Sequence, residues 1–484
     1  MKKSFLYNWM MLPIVITVIA ACSSGSGNWP QFRGSDGNMT VNVKNLPEKW
    51  SNDTNVLWTY EMSGSGWSSP VVWGDRIYIS SAYAEKKSTP DNQGAGPMPG
   101  AGQAPPPPPG QGPGGMPAGG QMPPAGARPM PAAGFQMPED TSYKHDIYRW
   151  ELTCIDLNTG KEIWKQVAHT GSPKTGSHAG NGYASETPVT DGERIYVYYG
   201  MIGLFCYDMD GKLLWSKDLG AYKTNNSFGT GSSPILYEGV LYIQVDNEEN
   251  SFVIALDGIT GEEKWKVARE EGTNYSSPFL WQNKVRTELV LNGKTARSYD
   301  PATGKLLWEI QIGKPGTVPS PFGDKDRLYI GCPGGFTGGG PFFAVTAGAS
   351  GDITPAAGEL TSEGVVWSDS SVMIGNATPA LAQGYIYMIS SRNGDVSCYK
   401  AASGEKMYQE NLGSFATVYI SPWVFNNKVY FTDEKGVTKV ISAGEKFEIV
   451  GQNKLGDKFW APIAVAKNAY IFKGEKKLFC LKAL

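Results

Sequence analysis

The stretch Ile155-Asp156-Leu157-Asn158-Thr159-Gly160-Lys161-Glu162-Ile163-Trp164 decides how this chain is read. Asp and Thr side chains of this kind bond the backbone of a turn, and glycine takes the left-handed conformation there without a steric cost. The tryptophan then opens the next strand, where it can pack between neighbouring repeat units. The stretch recurs. Ala255 to Trp265 and Ser298 to Trp308 carry the same Asp-x-x-Thr-Gly-x-x-x-Trp pattern. Tyr207 to Trp215 is a shortened copy, and a copy around Ser403 and Gly404 ends in Tyr408 instead of Trp. Trp58, Trp164, Trp215, Trp265, Trp308 and Trp367 are accordingly read as structural, blade-docking tryptophans.

A second marker has the same period. Small residues precede proline at Ser69-Pro70, Thr187-Pro188, Ser233-Pro234, Ser277-Pro278, Ser320-Pro321, Thr378-Pro379, Ser421-Pro422 and Ala461-Pro462. Most spacings fall between 40 and 46 residues, and the two longer gaps contain insertions. A short apolar strand follows each proline. A tight turn comes next, at Gly74-Asp75, Asp191-Gly192, Glu238-Gly239 and Asn426-Asn427, made of residues that tolerate positive φ. Strands such as Arg76 to Ser80 then alternate in polarity as half-buried β-structure does. Four strands per unit and a period in the forties describe propeller blades. The last unit has only three strands, and Val56 to Tyr60 is a spare outer strand near the other end. The fold expected for 55–484 is therefore all-β: an eight-bladed β-propeller of four-stranded antiparallel blades, closed by N- and C-terminal strands in one blade.

Composition agrees. The 484 residues hold 60 Gly, 33 Pro and 12% aromatics, a mixture suited to many short strands and turns. Lys and Arg number 43 against 46 Asp and Glu, which excludes the clustered basic surplus of a nucleic-acid binder. Cys154, Cys206, Cys398 and Cys480 fall at one place in the repeat, so they read as small buried apolar groups, not disulfide partners.

The start of the chain addresses location. Lys2 and Lys3 precede an apolar run that ends Ile19-Ala20-Ala21-Cys22. A charged start, a short apolar core and small residues form an export signal, and the cysteine after two alanines resembles the lipobox of bacterial lipoproteins. That resemblance implies a signal peptide over 1–21, a lipidated Cys22 and a tether and lead-in over 22–54. Ser23 is not the Asp of inner-membrane retention, so a lipid anchor on the periplasmic side of the outer membrane is expected.

Residues 82–147 interrupt the first full blade. Proline, glycine and alanine fill most of this stretch, including Pro105 to Pro109, and the segment is expected to be a disordered loop. Met98, Met116, Met122, Met130 and Met137 punctuate it irregularly, without His or Cys, which argues against a soft-metal site and leaves an insertion without function, or alternatively a tether or docking loop. The shorter insertion Cys332 to Pro341 occupies the same loop in another blade.

The repeat as a whole resembles the PQQ-like β-propeller repeat family. Its Asp-x-x-Thr-Gly-x-x-x-Trp signature is similar to the tryptophan-docking motif of quinoprotein dehydrogenases and to that of BamB-like outer-membrane assembly lipoproteins. Asn28 to Gly34 (Asn-Trp-Pro-Gln-Phe-Arg-Gly) and Tyr183 to Pro188 resemble a bacterial subgroup known only as PQQ-binding-like. The resemblance covers about 28–484 and implies a fold, because the motif is a packing device.

The loops between second and third strands share a face with the linkers that enter each inner strand. Trp67, Tyr275, Tyr419 and Trp460 precede proline markers there, with Tyr183 and Phe228 nearby. Glu186 is a lone carboxylate among Ser and Thr positions, and Arg286 and Glu288 alternate on a second strand. These nine residues are read as an aromatic-rimmed funnel for a ligand or partner, or alternatively as inter-blade packing around a buried ion pair. A quinoprotein enzyme resembling this fold needs an Asp base and a Ca²⁺ held by Glu and Asn oxygens. Glu186 with Asn274 or Asn376 is the available set, but no adjacent Cys pair and no CxxCH are present. His145, His169 and His178 do not define a zinc site. The reading is a non-enzymatic binding or scaffold lipoprotein, a monomer with an envelope-protein partner and no catalytic residue, metal or cofactor. The alternatives are a PQQ- and Ca²⁺-dependent alcohol or sugar dehydrogenase and a carbohydrate-binding propeller.

Overall fold

The computed structural model describes residues 27–41, 43–86, 142–178, 180–313, 315–333 and 339–484. The expected signal peptide, Cys22 and the five methionines of the insertion lie outside them. Among the described residues, strands and three single 3-10 turns are the regular structure. The strands form eight sheets. Blade 1 is Val71–Trp73, Arg76–Lys86, Ile147–Asp156 and Glu162–Gly171. Blades 2 to 7 follow at 189–217, 235–268, 279–311, 322–372, 380–411 and 423–454. Blade 8 takes its inner three strands from 464–482 and its outer strand from Val56–Glu61. Both ends of the chain thus close one antiparallel sheet, as the strand count predicts.

In each blade the first strand runs from its proline marker to a tight hairpin. The four-strand order then puts first-to-second and third-to-fourth turns on one face, the turn face. The second-to-third loops and the inter-blade linkers share the other, the rim face.

The proline markers have a second role that the spacing alone did not show. From blade 1 to blade 6, the amide of the residue before proline bonds the hydroxyl of its counterpart in the next blade. Ser69 N donates to Thr187 Oγ1 (2.9 Å), Thr187 N to Ser233 Oγ (3.0 Å) and Ser233 N to Ser277 Oγ (2.9 Å). Ser277 N donates to Ser320 Oγ and Ser320 N to Thr378 Oγ1, both at 2.9 Å. The residue type is small because it must sit at the crowded inner ring, and hydroxylic because the next amide needs an acceptor.

The tryptophan motif joins blades at the outside. Trp58 Nε1 donates to Leu157 O (2.9 Å), Trp164 to Met209 O (3.2 Å), Trp215 to Gly258 O (3.2 Å), Trp265 to Pro301 O (2.9 Å) and Trp367 to Ala401 O (3.0 Å). Each acceptor lies in the third-to-fourth turn of the following blade. The ring lies over that turn's left-handed glycine: a Cβ at Gly160 (φ +69°) would come within 2.5 Å of Trp58. Gly160→Ala is therefore expected to cost about 2–4 kcal/mol, combining the left-handed penalty with overpacking. Gly239→Ala, also left-handed (φ +75°) but with nothing within 4 Å, should cost only about 1–2 kcal/mol. Chemical denaturation of the two variants checks the difference.

Trp308 corrects the expectation. Its Nε1 donates to Glu288 Oε2 (2.6 Å) in its own blade. The connection that would receive it in blade 5, residues 347–364, is long and contributes Gly351–Asp352 as an extra strand, parallel to Trp308 and Glu309. Trp308 is instead buried among residues of blades 4 and 5.

Two boundaries also shift. Ala82, Tyr83, Ala84 and Lys86 pair with residues 147–150, so the interruption of blade 1 is shorter than 82–147; residues 87–141 lie outside the described set. The lead-in is part of the core, not only a tether. Trp29 bridges Val72 of blade 1, and Thr190 N of blade 2 donates to Pro30 O. Asn38 exchanges hydrogen bonds with Gly323 of blade 5, Thr40 bridges Val424 of blade 7, and Trp50 packs on Tyr430 and Tyr470. The segment crosses the turn face of the ring and closes that end of the central channel. Arg33 rises from it, 1% exposed, and donates to Pro379 O of blade 6 (3.2 Å). Burial pulls its pKa down to about 9. A cavity of about 340 Å³ separates the lead-in from blades 3 to 5.

Cys154, Cys206, Cys398 and Cys480 are buried on third strands, and burial lifts their pKa values to about 11–12. Such thiols are unreactive.

Candidate functional site

The rim face carries three of the predicted aromatics as one stack. Trp67 and Trp460 lie 4.8 Å apart between ring centroids, and Tyr419 lies 4.1 Å from Trp460 on its other side. They come from three different linkers, brought side by side because the ring places blades 7, 8 and 1 in succession. Lys458 Nζ sits 4.5 Å from the Trp460 centroid and 5.6 Å from that of Trp67. Trp460 Nε1 donates to Glu434 Oε2 (3.3 Å). All three rings are half-buried, so the stack offers aromatic edges, with a cation and a carboxylate each held against Trp460, to a partner.

The linker between blades 1 and 2 covers part of the mouth. Trp67 Nε1 donates to Gly180 O, while Asn181 Nδ2 donates to Phe228 O (2.7 Å) and Thr230 O (3.2 Å). Tyr183 in this linker meets Tyr148 edge-on at 4.8 Å, and its carbonyl accepts from Trp150 Nε1 (2.9 Å). Phe228 meets His178 edge-on at 5.3 Å. Tyr183 and Phe228 are thus engaged by the covering linker. Tyr275 stands apart on the linker before blade 4, its amide bonded to Thr317 O (2.9 Å). His169 is on the outer strand of blade 1, 5.6 Å from Trp150, and not in a loop.

Arg286 and Glu288 do not belong to this funnel. They follow the first hairpin of blade 4 directly, so they lie on the turn face, one blade height away. Glu288, fully buried, takes hydrogen bonds from Asn283, Arg286, Ser298 and Trp308. It is the acceptor that compensates for the missing docking turn at Trp308. Alternation along the strand gave the shared direction of the two side chains, but not which end of the strand they occupy.

Glu186 is 2% exposed and its Oε1 has no hydrogen-bond partner among the described residues. Burial pushes its pKa up to about 7. Its side chain faces Gly200 and Thr230, which with Asn274, Gln244 and Asp246 border a cavity between blades 2 and 3. Asn274 Nδ2 donates to Asn292 O (2.5 Å). The cavity encloses about 20 Å³, room for one water. A tricyclic quinone needs a pocket on the order of several hundred Å³. Asn376 is remote, on the linker into blade 6, bonded through its amide to Ser391 Oγ (2.9 Å). Among the described residues no three His, Cys, Asp or Glu side chains are grouped to hold a metal ion. The quinone–Ca²⁺ pair therefore does not fit the residues as they stand.

Eight four-stranded blades, tied by tryptophans outside and hydroxyls inside, make this chain an eight-bladed β-propeller. Residues 149–335 match the family described as "Outer membrane protein assembly factor BamB". Quinohemoprotein alcohol dehydrogenase from Comamonas testosteroni superposes with a TM-score of 0.57 at 10% identity, over 94% of this chain and 80% of its own. The quinohemoprotein alcohol dehydrogenase ADHIIG from Pseudomonas putida HK5 does so with a TM-score of 0.52 at 10% identity, over 94% and 80%. BamB from Moraxella catarrhalis aligns at 14% identity over 62% of this chain and 96% of its own, with a TM-score of 0.38. No curated protein matches the sequence. At these identities the likeness is one of fold.

Proposed function

We propose that this protein is a binding or scaffold propeller of the bacterial envelope, anchored through Cys22 on the periplasmic side of the outer membrane. Its rim face receives another envelope protein, in the manner of an outer-membrane assembly factor. The observation that carries this reading is the half-buried Trp67–Trp460–Tyr419 stack with Lys458 and Glu434 beside it. Aromatic anchors are what protein interfaces concentrate their binding energy on. No proton transfer or redox step is assigned to it, and the cavity beside Glu186 and Asn274, the carboxylate–amide pair the dehydrogenase reading would use, has no room for a quinone.

A photo-reactive phenylalanine analogue at Tyr419 tests the reading in intact cells. Irradiation is expected to yield an adduct with an outer-membrane protein or an assembly component. Trp460→Ala should weaken capture of that partner on the order of 30-fold, the loss expected for a central aromatic anchor. Adducts with no envelope protein would overturn the proposal. A soluble polysaccharide that protects Tyr419 from labelling would replace it with the carbohydrate-binding reading.

A further inference from the structure

We infer that the turn face of the propeller rests on a lipid surface, so that the rim face points away from the membrane. The inference builds on the proposed anchor at Cys22 and adds which side of the ring the anchor holds down.

The first observation is where the chain reaches the ring. Gly27 lies against Lys467 in the first hairpin of blade 8. Asn28 Oδ1 accepts from Gly74 N (2.9 Å) in the first hairpin of blade 1, and Lys467 pairs with Asp75 beside it. Both hairpins belong to the turn face. Between Cys22 and Gly27 there are only five peptide steps, which span at most about 18 Å when fully extended. A lipid on Cys22 therefore holds the Gly27 end of this face within about 18 Å of the headgroups, roughly two to three headgroup layers. The rim face, a blade height further along the chain's path, lies out of that reach.

The second observation is independent of the anchor. Exposed large apolar side chains gather at the turn end of the outer strands. Leu57, Ile163, Leu213, Leu306, Val366 and Ile449 occupy the first or second residue of the outer strands of six different blades, and each is more than a third exposed. Every outer strand starts on the turn face, so these side chains form an interrupted collar around it. Two further apolar residues crown the turns themselves. Ile259 in the third-to-fourth turn of blade 3 is 64% exposed, and Val285 in the first hairpin of blade 4 is 57% exposed. Tyr83 and Val167 are exposed away from this end, but isolated exposed apolar side chains need no explanation, whereas a bias of this size toward one end does. A short lipid tether at blades 8 and 1, with apolar turns at blades 3 and 4 across the ring, gives two points of contact. A second weak contact is what converts one lipid anchor into a fixed orientation.

The test uses the full lipidated chain in phosphatidylethanolamine–phosphatidylglycerol vesicles. Single cysteines at Ile259, Val285 and, on the rim face, Glu249 carry an environment-sensitive dye. The native Cys154, Cys206, Cys332, Cys398 and Cys480 are buried and stay unlabelled. Quenchers attached to lipid headgroups should remove most emission at Ile259→Cys and Val285→Cys and leave Glu249→Cys unchanged. Equal quenching at all three positions, or quenching at Glu249→Cys alone, overturns the inference. Vesicle flotation of the same samples separates it from the anchoring reading. Protein that floats, and that Cys22→Ser releases, yet shows unquenched turn-face labels sinks the orientation alone. Protein that never floats sinks the anchor first and the orientation with it.

Discussion

Lys473→Met is expected to stabilise the protein at neutral pH and to flatten its stability between about pH 7 and 10. The Lys473 side chain is buried at the junction of blades 8 and 1, where Nζ donates to Ser68 Oγ (2.7 Å) and Ser80 O (2.8 Å) and meets no carboxylate. Burial lowers its pKa from 10.5 to about 7. The unfolded chain therefore holds a proton that the folded chain releases across this window, so stability rises with pH from about 7 to 10 and the full cost is present below it. At about 1.4 kcal/mol per factor of ten in the proton equilibrium, the cost is on the order of 5 kcal/mol. Methionine fills a similar volume without a charge. Glu186 acts in the opposite sense over a lower window. Its pKa, raised to about 7 by burial, means the folded state binds the extra proton, so its contribution falls as pH rises from about 4.5 to 7. The two groups together place a minimum of stability near neutrality. Thermal unfolding at pH 5, 7 and 9 for the parent, Lys473→Met and Glu186→Gln proteins reads both effects. Parallel curves for all three would show that neither group titrates as described.

Asp246→Ala is expected to cost about 3–5 kcal/mol, because it strands a fully buried cation. Arg269 donates from Nε to Asp246 Oδ1 (2.9 Å) and from Nη2 to Oδ2 (3.2 Å), and neither side chain has any exposed surface. Gln244 Nε2 also donates to Asp246 Oδ2 (2.6 Å). For a ring of about 400 ordered residues, unfolding entropy near 2.1 cal/mol/K per residue converts the loss into a fall in Tm of roughly 4–6 °C. The double variant Asp246→Ala, Arg269→Met should recover most of it, since an apolar replacement of the whole pair leaves no orphaned charge. A double variant no better than the single one would locate the loss in packing and not in the ion pair.

The ring was legible from the sequence because its two markers do mechanical work at the same place in most blades. The proline that ends a linker and the glycine under the docked tryptophan both answer to backbone geometry, which repeats. Closure was legible for a similar reason, since a blade of three strands needs a fourth. What escaped was non-repeating. Gly351–Asp352 is two residues of extra strand with no pattern of its own, and its presence diverts Trp308 onto Glu288. The path of the lead-in rests on contacts of Arg33 and Thr40 with blades hundreds of residues away. At the rim, linker positions identified Trp67, Tyr419 and Trp460 because position in the linker is also position on the face. Arg286 and Glu288 were misplaced because alternation reports a side and not a height.

The propeller shares its fold with quinohemoprotein alcohol dehydrogenases, while its cavity beside Glu186 has no room for a quinone. Thermal unfolding of the full chain with PQQ and Ca²⁺ together tests it most directly. A ligand bound at a hundredfold excess over its Kd would add about 2.7 kcal/mol of stability, a rise of roughly 3 °C for a ring of this size. The cavity of about 20 Å³ beside Gly200, Thr230 and Asn274 predicts no rise at any concentration. A saturable rise that Glu186→Gln abolishes would contradict it.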